Sequence, residues 1–166
     1  MTENEFQEYR LDRVTPEPAP LEEGAWHQID LPLRWGDMDA LNHLNNTIYF
    51  RLMEEARVCI LRQANMKLPD DEGPILAHAS CDFIKPLNYP ATVRVTHRLL
   101  RLGRSSMELE LTLEMVGDDS GPYARGRNVL VWMDYVANCS KAWPAHVLAR
   151  LGAQFNPPGN KTARCR

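Results

Sequence analysis

The strongest constraint on how this chain folds is a switch in hydrophobic period. From Asn46 onward, Ile48, Leu52, Ala56, Ile60 and Ala64 recur every fourth residue, Tyr49 and Met53 widen the stripe, and Arg51, Glu54, Glu55 and Arg62 lie elsewhere. That spacing marks one face of an amphipathic helix, because an α-helix turns once in about 3.6 residues. Asn45 or Asn46 is placed to cap its start, and Lys67 with Pro69 marks its exit.

On either side of the helix the period drops to two. Ile29, Leu31, Leu33 and Trp35 alternate with Gln28, Asp30, Pro32 and Arg34, which reads as a half-buried strand, and Pro32 assigns it to an edge or a bulge. Four further strand-like stretches follow the helix, at about residues 75–84, 92–101, 106–116 and 123–136. The third is the clearest: Met107, Leu109, Leu111, Leu113 and Met115 share one face, and Glu108, Glu110, Thr112 and Glu114 share the other. Turn chemistry at residues 87–90, 102–104 and 117–121 predicts that consecutive strands pair antiparallel as a meander.

One long helix and one antiparallel sheet must bury their apolar faces on each other, so the expected class is α+β, a curved sheet wrapped around the helix. Residues 129–136 are apolar on both faces, which predicts cover for part of the outer surface, most simply by oligomerisation. A short apolar piece at residues 144–151 is expected to close the body as a second helix. The domain reading is an acidic, proline-dotted arm at 1–27, a body at 28–152 and a basic tail at 153–166.

A formal charge of −3 argues against a nucleic-acid partner, which selects for a basic excess. The 4 cysteines are scattered, with no CxxC or CxxH spacing, so neither a zinc site nor a disulfide framework is expected, and a reduced cytoplasmic setting fits. The start lacks a basic and then apolar leader, and no run of about 18 apolar residues occurs, so neither a signal peptide nor membrane insertion is expected.

The segment Arg34-Trp35-Gly36-Asp37-Met38-Asp39-Ala40-Leu41-Asn42-His43-Leu44-Asn45-Asn46-Thr47-Ile48-Tyr49, followed on the helix by Glu54-Glu55-Ala56-Arg57, resembles the pattern of hotdog-fold acyl-CoA thioesterases of the 4-hydroxybenzoyl-CoA thioesterase-like family. The likeness continues through Asp82-Phe83-Ile84-Lys85-Pro86-Leu87, Leu102-Gly103-Arg104-Ser105-Ser106 and Val131-Trp132-Met133-Asp134, covering about residues 28–150. One position departs: the family's usual glycine before the histidine is Asn42 here, a residue that tolerates left-handed backbone angles better than most. The resemblance implies a hotdog fold, hydrolysis of an acyl-CoA to free acid and CoA without cofactor or metal, and a homodimer or homotetramer with sites at the protomer interface.

It also implies that Asp39, the second acid of Asp37-x-Asp39, is the catalytic carboxylate, as nucleophile or as general base; an aspartate in that place otherwise caps a turn. The first amides of the helix, near Asn46 and Thr47, lack intrahelical partners and suit the oxyanion that thioester hydrolysis generates. His43 is expected to orient the loop or polarise substrate, and Asp37 to hold the loop by hydrogen bonds. Glu54 and Glu55 are read as ion-pair partners of Arg57 or Arg51. By resemblance, Arg104, Ser105 and Ser106 are candidate CoA contacts, with Lys85, Arg98 and Arg101 behind them, while Tyr49, Met53 and Phe83 are candidates for the acyl pocket. Two other functions remain open at this level: a hotdog dehydratase of hydroxyacyl thioesters and a non-catalytic acyl-CoA-binding module.

Overall fold

The computed structural model describes residues 20–156, so most of the expected arm and tail lies outside the described residues. Strand β1 (Trp26–Pro32) leads through a single 3-10 turn at Trp35–Asp37 into helix α1 (Asn46–Gln63). Strands β2 (Glu72–Phe83), β3 (Thr92–Leu102), β4 (Ser106–Met115) and β5 (Ala124–Asp134) follow, then the short β6 (Cys139–Ser140) and helix α2 (Ala145–Gly152). They form a 6-stranded antiparallel sheet in the order β1-β3-β4-β5-β2, with β6 beside β5. Among the described residues no helix is long and apolar enough to cross a membrane.

The expected meander holds for β3, β4 and β5 and fails for β2, which pairs with β5. The vacant neighbour of β3 is taken by β1, in the register His27 opposite His97 and Leu31 opposite Val93. The cause is topological: after α1 the chain enters the sheet at its far edge, so residues 87–90 form a crossing connection and not a hairpin. Buried Leu87 anchors that crossing, its carbonyl accepting the Leu44 N–H at 2.7 Å.

Period-two alternation decides which side chains meet the helix. Val93, Val95 and Leu99 of β3, Met107, Leu109, Leu111 and Leu113 of β4, and Ala124, Leu130 and Trp132 of β5 are all buried, as are Leu52, Met53, Ala56 and Ile60 of α1. Burying a side chain of this size contributes on the order of 1.5–3 kcal/mol. Gly126 sets how closely α1 approaches: a Cβ there would lie 2.7 Å from Met53 Cε and 2.9 Å from the Ser80 carbonyl oxygen. At the other end Trp143 packs on Trp132, ring centroids 4.9 Å apart, and Asn156 exchanges backbone hydrogen bonds with Trp26, fastening the chain after α2 to the start of β1.

The outer face is polar where the alternation places charges, with Arg94–Asp30 at 2.8 Å, Arg98–Glu110 at 2.7 Å and Arg127–Glu108 at 2.7 Å. These half-exposed pairs contribute little individually. On β2, the free edge of the sheet, Ile75 and Leu76 remain 40% and 43% exposed, and the ladder with β5 shifts register between Leu76 and His78.

Polar groups also enter the core. His97 is wholly buried and neither ring nitrogen has a partner, while His27 opposite it keeps Nε2 2.9 Å from Gln63 Oε1. Burial, reinforced by the nearby His27 and Arg57, pushes the His97 imidazole down to about 3, so it is neutral in the folded state. The unfolded chain titrates near 6.5 and therefore binds the extra proton first, so stability is complete above that pH and is lost as pH falls towards 3. His97→Leu is expected to flatten this acid-side slope, as read by urea unfolding at about pH 7.5 and about pH 4.5; an unchanged slope would assign the acid sensitivity to other groups.

Candidate active site

The loop between β1 and α1 is built around a buried carboxylate. Asp37 is 3% exposed, and a charge in such a place requires partners. Its Oδ2 accepts the Arg34 N–H at 2.8 Å, its Oδ1 accepts from Arg51 Nη2 at 2.6 Å, and its carbonyl accepts the Asn45 N–H at 3.0 Å. Asp37 thus ties the strand exit to the first turns of the helix. Arg51 is thereby committed to Asp37 and not to Glu54 or Glu55, contrary to one of the pairings expected from the sequence.

Past this brace the chain closes a tight loop from Asp39 to His43. The Asp39 N–H donates to the His43 carbonyl at 2.7 Å, and Asp39 Oδ1 accepts the amides of Leu41 at 2.8 Å and His43 at 3.0 Å. Among the described residues no donor reaches Oδ2. Asn42 adopts φ 59°, the left-handed conformation in which a glycine substitutes easily, and Asn88 Nδ2 donates to its carbonyl at 2.6 Å. Asp39 therefore caps the turn with one oxygen and presents the other. His43 is exposed and contributes its backbone to this loop.

The helix begins at Asn46, three residues past the loop's close at His43. Asn45 is the N-cap: its Oδ1 accepts the Thr47 N–H at 2.9 Å and the Thr47 hydroxyl at 2.8 Å. The Thr47 amide, expected to be free, is satisfied by this cap, which leaves the Asn46 amide at the first helical position without an acceptor among the described residues. Negative charge is favoured there by the helix dipole.

The remaining expected residues divide by position. Tyr49 is 2% exposed and packs edge-on against Phe83 at 5.0 Å, so it belongs to the core beneath the loop, and burial holds its phenol above the ordinary range. Arg104, Ser105 and Ser106 lie at the turn joining β3 to β4, whereas the Asp39 loop sits at the end where Leu33 and Val116 bond to Ala91 and Thr92. The ten-residue β4 separates these ends by roughly 30 Å, at about 3.3 Å per residue. One protomer therefore does not bring the two groups together. Lys85 is occupied by the β4–β5 turn, donating to the Ser120 carbonyl at 2.7 Å and its hydroxyl at 2.8 Å, and Arg98 by Glu110.

Alongside the helix start runs a cleft of about 300 Å³ lined by Thr47, Phe50, Arg51, Glu54, Arg57 and Asn128, among others. Asn128 escaped the sequence reading. The signal was present, since alternation places it inward in line with Ala124, Leu130 and Trp132, but an isolated asparagine between apolar neighbours carries no motif.

Removing the cation that faces Asp37 tests the brace. Arg51→Met keeps the apolar stem and strands the carboxylate; because Arg51 is 41% exposed and water can reach the pair, the expected loss is about 1–3 kcal/mol in urea unfolding. The double variant with Asp37→Asn is expected to recover part of it.

A family model described as the thioesterase-like superfamily matches residues 33–151. Among solved structures, the chain is 40% identical to a protein named "a putative Thioesterase" from Pseudomonas aeruginosa, covering 72% of this chain and 93% of that one with a TM-score of 0.70. A "putative acyl-CoA thioesterase" from Xanthomonas campestris is 31% identical over 66% of this chain and 94% of its own, with a TM-score of 0.61. A 1,4-dihydroxy-2-naphthoyl-CoA thioesterase from Synechocystis shares the fold at 14% identity and a TM-score of 0.69, covering 76% of this chain and 95% of its own. No curated protein matches the chain. By the extent of the family match and by the sheet, helix and loop that carry it, the chain belongs to the thioesterase-like superfamily and has the hotdog fold.

Proposed function

We propose that this protein hydrolyses acyl-CoA thioesters to a free carboxylic acid and CoA, with Asp39 as the catalytic carboxylate and the α1 N-terminus as the oxyanion site. The observation that carries the reading is the division of labour within Asp39: Oδ1 is fixed by two backbone amides, while Oδ2 accepts no hydrogen bond among the described residues, in the loop that leads directly into α1. A carboxylate held this way loses little freedom on reaction, and preorganisation of this kind contributes much of the rate enhancement in acyl transfer.

Two routes use the same geometry. In one, Asp39 takes a proton from water as the water oxygen bonds to the thioester carbon; the C–S bond then breaks, and the CoA thiolate leaves and is protonated. In the other, Asp39 Oδ2 bonds to that carbon and expels the thiolate, giving a mixed anhydride that water cleaves to acid and regenerated carboxylate. In both, the carbonyl oxygen becomes negative, and the Asn46 N–H is the available donor at the positive end of the helix. His43 completes the loop wall, and neither route draws on a cofactor or a metal.

CoA carries phosphates that need cations, and Arg104 with Ser105 and Ser106 lies too far from Asp39 of the same chain to supply them. We therefore assign these contacts to a homodimer, joined along the free edge of β2, in which one protomer's turn serves its partner's loop; exposed Ile75 and Leu76 support that placement. Two such dimers would form the tetramer. CoA thioesters and the free thiols of Cys59, Cys81 and Cys139 both fit the cytoplasm.

Purified protein is expected to release CoA thiol from at least one member of a broad acyl-CoA panel, and Asp39→Asn to lower turnover at least about a hundredfold with an unchanged melting profile. Full turnover in that variant would remove Asp39 from the chemistry. Saturable acyl-CoA binding with no thiol release by the wild type would instead favour the binding-module reading. Sedimentation is expected to give a dimer or tetramer, and an Ile75→Lys variant to shift it towards monomer.

A further inference from the structure

Resting on the thioesterase reading, we propose that the cleft between α1 and β2 receives the acyl group and that Asn128 selects acyl groups bearing a neutral hydrogen-bonding substituent, a hydroxyl or an amide. Asn128 is 1% exposed, and neither its Nδ2 nor its Oδ1 has a partner in the fold. A buried amide left unpaired is destabilising, so packing alone selects a valine or leucine at such a place. The side chain lines the cleft wall and offers one donor group and one acceptor.

The position along the cleft is set by its neighbours. Thr47, at the helix start, is one lining residue and Arg57 another, so the cleft follows α1 for roughly 15 Å at about 1.5 Å per residue. On β5, Asn128 lies one inward position beyond Gly126, which faces Met53. That places its amide roughly 17 Å from the oxyanion site, about 10 Å along α1 to Met53 and about 7 Å further along β5, at the far end of the cleft. An acyl carbon held at Asn46 therefore directs its chain past Phe50 and Leu76 towards Asn128, with apolar walls on the way and a polar contact at depth.

Charge balance favours a neutral substituent over a carboxylate. Arg51 is neutralised by Asp37, and Arg57, whose guanidinium burial pushes down while the nearby Glu54 pulls it back up, is offset by that carboxylate. What remains unsatisfied along the cleft is the Arg51 Nε–H and the Asn128 amide, and of the two only the amide pairs a donor with an acceptor, which a hydroxyl or carboxamide matches by donating to Oδ1 and accepting from Nδ2.

The test is a set of paired acyl-CoA thioesters that differ only by a hydroxyl, or only by a carboxamide, with a carboxylate analogue of each. Wild-type protein is expected to show kcat/KM about tenfold or more higher for the neutral polar member than for the unsubstituted one. Asn128→Val is expected to bring that ratio to one or below, and Asn128→Thr to give an intermediate ratio. A wild-type ratio near one, a ratio unchanged in Asn128→Val, or preference for the carboxylate overturns the assignment. If wild-type protein cleaves no member, the thioesterase reading fails by itself. The same pairs as uncleavable thioether analogues, followed by calorimetry, then decide the cleft: tighter binding of the polar member that vanishes in Asn128→Val supports it, and equal affinities overturn it.

Discussion

The fold depends on a single contact surface, the apolar stripe of α1 against the inner face of the sheet. Nothing else described offers either element enough apolar area to leave water, since the outer face carries Arg94, Arg98 and Arg127 with their acidic partners. The closeness of this contact is governed by Gly126, where even a methyl group would meet Met53 and the Ser80 carbonyl. A tightly seated helix fixes its own N-terminus, which is where we propose that the chemistry takes place.

Catalytic geometry follows from that seating through the loop before the helix. Asp37 is buried and paired with the half-exposed Arg51, a residue of α1, so the loop cannot shift without exposing or unpairing a buried charge. Asp39 is held two residues further on by the Leu41 and His43 amides, and Asn45 caps the helix in the same stretch. Orientation of the Asp39 carboxylate thus rests on backbone donors and on one ion pair, both of which lose less conformational freedom than long side chains reaching across a cavity would.

The helix also divides the polar interior into two parts with different consequences. Around His97 and His27 burial pushes both imidazoles down, His97 furthest, which is expected to make the fold sensitive to acid. Asn128, buried and with its amide unpaired, lines a cleft beside the free edge strand β2, where we place the acyl group. The same physical fact, a polar side chain on the inner face of a strand, acts on stability in one place and on recognition in the other.

What the amino-acid order determined by itself was periodic and local. The period-four stripe specified α1 within a residue or so, alternation specified which faces of β3 and β4 are inside, and Asn42 announced a left-handed turn that occurs at φ 59°. Asp39 and the helix start were legible because they are contiguous in the chain. Tertiary structure alone decided that β2 pairs with β5 and β1 with β3, that Arg51 answers Asp37, that Asn45 consumes the Thr47 amide, and that Arg104 lies far from Asp39. It alone also turned Asn128 from an isolated asparagine into an unpaired amide lining a cleft. The physical reason is that periodicity reports which side of an element is buried, whereas partnership depends on which elements the chain brings side by side, and that choice is made by crossing connections whose local sequence is ordinary turn chemistry.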